Sequence, residues 1–239
     1  MISANTPALA ATLALVAALT ACRGGTPLPG PRGTASAAAS ASPAAANRPG
    51  PGATPDDRPL VLFVGTSLTA GYGVDPDEAF PALVQGKIDA AGLRYRVVNA
   101  GVSGETSAGA RRRIGWLLRQ PVAVLVLETG ANDGLRGQDP SATRENIEAV
   151  LAAARRARPA PKLALVSMEA LPNYGEDYRR RFRAIYPQLA RENGATLVPF
   201  LLQGVAGDPA LNQADGIHPT AAGHRRVAET VWKALRPIL

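Results

Sequence analysis

From residue 60 onward, short apolar runs alternate with longer segments in which apolar residues recur every three or four positions. The run Leu60-Val61-Leu62-Phe63-Val64 reads as a buried strand that stops at Gly65. Residues 78–91 have helical periodicity with Gly92 as a stop, and residues 96–99 form a second strand. A helix over 107–119 leads to a third strand at 122–127, continuous and rich in branched residues, as at the centre of a parallel sheet. The pattern continues with a helix over 142–157 capped by Ser141, a strand at 163–166, a helix over 177–192 and a short strand at 196–198. A loop then enters a last helix over 220–235. Strands alternating with helices imply an α/β domain, with a parallel five-stranded sheet covered by helices on both faces.

In such sheets, sites form where loops leave the carboxyl ends of the strands. Several polar residues occupy those places. Ser67 follows the first strand, Gly104 the second and Asn132 the third, while Asp215 and His218 follow the fifth.

Residues 1–58 show neither period. An apolar run over 8–19 ends in Leu19-Thr20-Ala21-Cys22. It is too short to span a bilayer and reads as a signal-peptide core over residues 1–21. Small residues before Cys22 resemble the bacterial lipoprotein cleavage box, in which that cysteine becomes the lipidated N-terminus. Residues 1–21 contain no Lys or Arg, however, so the usual basic start is missing, and an ordinary cleaved signal is the competing reading. Residues 22–58 are mostly Ala, Pro, Gly, Ser and Thr, too poor in apolar side chains to offset the entropy of ordering. They read as a disordered tether spanning about 30–36 Å as a flexible coil. Residues 59–239 make one domain with a full core.

Composition narrows the chemistry. One cysteine excludes an internal disulfide, and two histidines cannot assemble a usual Cys/His zinc site; no cofactor or metal is expected. The net charge is +7. The clusters Arg111-Arg112-Arg113 and Arg179-Arg180-Arg181 fall in helical stretches, and only 5% of residues are aromatic. Without a stacking platform they read as solvated helix faces, and no nucleic-acid partner is expected.

The scarcity of histidine concentrates attention on Asp215-Gly216-Ile217-His218. An aspartate three residues before a histidine can hold one ring nitrogen and leave the other free to take a proton. Serine needs such an oriented base to become a nucleophile, which makes Ser67 the candidate, with His218 as base and Asp215 as orienter. Asp133 and Asp139 are alternative orienters, but neither has a histidine nearby in sequence. An acyl-transfer intermediate needs donors for its oxyanion. The Ser67 and Gly104 N–H groups and the Asn132 side-chain amide are candidates. Taken singly, each residue has a plainer reading: Ser67 as a turn residue, Gly104 as a tight turn, Asn132-Asp133-Gly134 as a turn with Asp133 a helix cap. His224, inside the last helix, reads as structural.

Together, Gly65-Thr66-Ser67-Leu68, Gly101-Val102-Ser103-Gly104, Gly130-Ala131-Asn132-Asp133 and Asp215-Gly216-Ile217-His218 resemble the four signature blocks of the SGNH hydrolases, also called GDSL-like esterases and lipases. The resemblance runs in order through nearly the whole domain. Residues 127–137 and Leu171-Pro172-Asn173-Tyr174-Gly175 are similar to the bacterial periplasmic thioesterase/lysophospholipase and arylesterase branch. It implies a three-layer α/β/α, flavodoxin-like fold. It also implies Ser67, Asp215 and His218 as the triad, with Ser67, Gly104 and Asn132 as the oxyanion hole. One position departs: Thr66 stands where the family commonly has aspartate. The GxSxG elbow of the α/β-hydrolases is absent.

The expected activity is therefore hydrolysis of small acyl or aryl esters, with thioesters and lysophospholipids as further substrates. Leu171, Pro172, Asn173 and Tyr174, after the fourth strand, are the candidate acyl-site wall. A carbohydrate O-deacetylase and a non-catalytic lipid- or glycan-binding module are the alternatives. With the anchor at Cys22, the expected place is the bacterial cell envelope, as a periplasm-facing lipoprotein on the inner or outer membrane.

Overall fold

A computed structural model describes residues 56–239. The predicted signal segment, Cys22 and most of the predicted tether lie outside the described residues. Of the tether's last residues, Arg58 bonds to the Asp56 carboxylate and reaches the Tyr95 carbonyl at 3.4 Å.

Five parallel strands, β1 (Leu60–Gly65), β2 (Arg96–Gly101), β3 (Val124–Leu127), β4 (Lys162–Val166) and β5 (Thr196–Val198), form one sheet in the order β2-β1-β3-β4-β5. This is the flavodoxin-like order that the sequence implies. β1 and β3 are wholly buried, which explains their unbroken apolar runs. The edge strands are more exposed, and Leu197 on β5 is 39% accessible.

The long helices are α2 (Phe80–Ala90), α3 (Ser107–Leu117), α5 (Pro140–Arg156), α6 (Gly175–Asn193) and α7 (Ala221–Leu235). α2 packs beside α7, and α3, α5 and α6 pack side by side, giving three layers. The buried stripes follow the helical period: Ile147, Val150, Leu151 and Ala154 on α5; Phe182, Ile185, Tyr186 and Leu189 on α6; Val227, Ala228, Val231 and Leu235 on α7.

Two details correct the sequence reading. Asp139, not Ser141, caps α5: its carboxylate accepts the Ser141 N–H at 3.0 Å, and Pro140 takes the first helical position. Two short helices also escape the periodicity, α1 (Ser67–Ala70) and α4 (Ala131–Leu135). They start directly after β1 and β3, on either side of the point where strand order reverses.

Candidate active site

Ser67 is the first residue of α1. Thr66 is the cap: its side-chain oxygen accepts the Leu68 N–H at 3.4 Å. Behind it lies Glu128, fully buried at the end of β3. The Glu128 carboxylate accepts the Thr66 N–H at 2.8 Å and the hydroxyls of Thr66 and Thr69 at 2.9 Å each. Burial raises its pKa, while those donors favour the anion and hold the rise back. Gly65 is required here, because a Cβ would stand 2.0 Å from the Thr69 hydroxyl and 2.7 Å from Glu128. Sequence reading missed Glu128. Its only sign was an acidic residue closing an apolar strand run.

His218 arrives on the loop between β5 and α7. Its Nε2 lies 2.9 Å from Ser67 Oγ, and its Nδ1 lies 2.6 Å from Asp215 Oδ2. Asp215 Oδ1 accepts the backbone N–H groups of Ile217 at 2.9 Å and His218 at 3.0 Å. The His218 backbone N–H, then its ring, then the Ile217 N–H hold the Asp215 carboxyl down at about 2. An ionised Asp215 keeps Nδ1 protonated and leaves the Nε2 lone pair toward Ser67. Gln213 pins the loop by donating to the Tyr72 and Pro219 carbonyls, at 2.7 and 2.9 Å. The Tyr72 ring covers His218 with centroids 4.7 Å apart.

The other two blocks, after β2 and β3, carry unused donors. Neither the Ser67 nor the Gly104 N–H has a partner among the described residues. Gly104 sits at φ 77°, a turn that only glycine takes freely. The Asn132 amide spends one hydrogen on the Glu105 carbonyl at 3.0 Å, tying its loop to the Gly104 loop, and its second hydrogen remains free. Glu105 is itself gripped by Arg113 through two bonds of 2.7 Å. Arg113 is thus half-buried and structural, whereas Arg111 and Arg112 are exposed as expected.

Asp133 is not a local cap. It is fully buried inside α4, and its carboxylate accepts the Ser107 N–H at 2.8 Å and the Ser107 hydroxyl at 2.5 Å. It therefore caps α3 from across the sheet end, where Thr106 offers no side-chain bond. Asp139 is equally committed, to α5. Neither bonds to a histidine; among the described residues only Asp215 sets a carboxylate against a histidine ring. Among the described residues, no three His, Cys, Asp or Glu side chains group as a metal site would require.

A cavity of about 260 Å³ opens beside Leu68 and Ala131, the neighbours of Ser67 and Asn132. Met168, Ala170, Leu171 and Pro172 after β4, with Phe200 and Ile217, make most of it apolar. Of the four predicted wall residues, Leu171 and Pro172 line it. Asn173 and Tyr174 do not, and Tyr174 instead donates its hydroxyl to the Leu135 carbonyl at 3.2 Å. A larger open groove between β5 and α7 contains none of these site residues.

The "GDSL-like Lipase/Acylhydrolase family" matches residues 63–226. The chain belongs to that family. Within it, the chain is 42% identical over 180 residues to the "Esterase TesA" of Pseudomonas aeruginosa, covering 75% of this chain and 89% of that one. It is 39% identical over 181 residues to the "Thioesterase 1/protease 1/lysophospholipase L1" of Escherichia coli K12, covering 75% and 84%. The crystal structure of a TesA superimposes with a TM-score of 0.72 at 40% identity, over 75% of this chain and 99% of that chain. This GDSL-like acylhydrolase is a carboxylic ester hydrolase of the serine type.

Proposed function

We propose that Ser67, His218 and Asp215 are the triad of this hydrolase and that the cavity beside Leu68 receives the acyl chain. The observation that carries the reading is the unbroken bond chain from Ser67 Oγ through His218 to Asp215, at 2.9 and 2.6 Å. His218 Nε2 takes the Ser67 proton as Oγ attacks the acyl carbonyl. The N–H groups of Ser67 and Gly104 and the free Asn132 hydrogen receive the oxyanion. His218 then protonates the leaving oxygen or sulfur, and water activated by the same nitrogen releases the acid. The apolar cavity favours acyl chains longer than acetyl. Small acyl and aryl esters, thioesters and lysophospholipids fit this chemistry, as the names of the relatives suggest.

Ser67→Ala and His218→Ala should each remove nearly all hydrolysis of an activated aryl ester. A fluorophosphonate should label the native chain at Ser67 and leave Ser67→Ala unlabelled. Turnover near the native rate in either variant sinks the triad. Asn132→Ala should lower kcat by about 10²–10³-fold, and a loss confined to KM would remove it from the oxyanion hole.

The apolar run over 8–19, closing on Leu19-Thr20-Ala21-Cys22, supports a second proposal. Cys22 is lipidated and holds the domain on a membrane of the cell envelope. Mass spectrometry of the mature N-terminus should find an acylated Cys22, and a product beginning elsewhere would end this proposal alone.

A further inference from the structure

The cavity beside Ser67 is not purely apolar. Arg179 lines it, from the second turn of α6. Its neighbours in the arginine cluster point outward, with Arg180 and Arg181 67% and 57% exposed and both paired with Asp177. Arg179 is 28% exposed, and its Nε is buried with no hydrogen-bond partner among the described residues.

The guanidinium is held from one side only. Its Nη1 donates to Glu176 Oε2 at 3.0 Å, and Glu176 is 68% exposed. An exposed pair of this kind is weakly held and can yield the guanidinium to another anion. Neither Nε nor Nη2 has a partner among the described residues; Nε is shut off from solvent, so Nη2 is the donor left for a ligand. The other charge in the lining, Glu169, is already paired with Arg183 at 3.3 Å. The cavity thus combines apolar walls with a guanidinium that has an unpartnered donor. An all-hydrocarbon chain leaves that donor unmet and desolvates it further. A chain ending in a carboxylate satisfies it.

We infer that Arg179 selects acyl groups bearing a terminal carboxylate, so that half-esters of medium-length dicarboxylic acids are preferred substrates. This rests on the cavity being the acyl site. Its volume, about 260 Å³, is many times the roughly 10–15 Å³ that admits one water, so a chain of several carbons fits and a six-carbon diacid is the test length.

The test uses purified protein, with active sites counted by fluorophosphonate labelling. The aryl monoester of hexanedioic acid is compared with the matching aryl hexanoate and aryl acetate. The native enzyme should favour the charged ester over the hexanoate in kcat/KM. In Arg179→Met the charged-to-neutral ratio should fall by at least about tenfold, the size of one charge-assisted hydrogen bond. Arg179→Lys should recover part of that ratio, since it restores a cationic donor without the planar guanidinium. Equal ratios in native protein and Arg179→Met overturn the inference. Leu171→Trp serves as a separate probe of the cavity, and it should depress the hexanoate-to-acetate ratio. If it does not, the acyl chain lies elsewhere and the inference falls together with that reading. If it does while Arg179→Met changes nothing, the acyl site stands and only the role of Arg179 is lost.

Discussion

At the scale of single residues, the least expected feature is how Ser67 is held. Thr66 replaces the aspartate common in the family, and the replacement makes sense beside Glu128. Two buried carboxyls in contact would have to share a proton, because like charges that close cannot both ionise. A threonine removes the conflict: its hydroxyl donates to Glu128 while its N–H does the same. Glu128 then ties Thr66 and Thr69, which flank Ser67 and Leu68, to the end of β3. Glu128→Gln puts an NH₂ group among donors that need an acceptor, and the Thr66 N–H cannot turn away. We predict a fall in kcat of about ten- to a hundredfold with KM little changed, as expected when one buried hydrogen bond that sets the position of Ser67, the proposed nucleophile, is lost. Binding of fluorophosphonate should slow in parallel. An unaltered kcat would show that α1 holds Ser67 without this anchor.

At the scale of elements, the sequence reveals what burial patterns can encode. β1, β3 and β4 are legible because both sheet faces are covered, so every position must be apolar. The long helices are legible because one stripe faces the sheet. α1 and α4 are invisible to the same reasoning: four and five residues do not complete enough turns to show a period. Yet these two helices carry Ser67 and Asn132. Their positions were found through strand ends and motif blocks, and their bonding was not. Asp133 shows the limit most clearly, since its partner Ser107 lies 26 residues away and no local pattern links them. The Arg179 cluster misled for a similar reason. Three consecutive arginines on a helix point in three directions, and one of them met a cavity. Caps allow a direct check. Asp139→Ala should lower the urea unfolding midpoint through loss of the α5 cap, while Ser141→Ala should leave it nearly unchanged. Equal losses would return the capping role to Ser141.

At the scale of the whole molecule, the last helix joins the site to the core through the chain's second histidine. His224 is buried on α7, stacked on Phe80 with ring planes 15° apart, and its Nδ1 accepts the Phe80 N–H at 3.3 Å. Its Nε2 has no partner among the described residues. Burial first, and the positive charge of a protonated His218 second, lower its pKa from 6.5 to about 4. The unfolded chain therefore binds a proton at this residue below about 6.5, whereas the folded chain resists until about 4. Between those values the unfolded state holds more protons, so stability falls as pH falls, by up to about 3 kcal/mol at the lower end. Above 6.5 this residue makes no difference to the pH profile. Glu128 acts in the opposite sense, because its raised pKa lets the folded state take up a proton before the unfolded state does. Unfolding of the native protein alone would mix the two effects. The informative quantity is the difference between native protein and His224→Gln, in which the amide oxygen can still accept the Phe80 N–H but nothing titrates. The stability difference between the two should be flat above pH 7. It should then shift in favour of His224→Gln as pH drops from 6.5 toward 4. Parallel profiles across that window would mean that α7 loosens enough for water to reach the imidazole, and the helix that follows the Asp215/His218 loop would then be less firmly seated than its burial indicates.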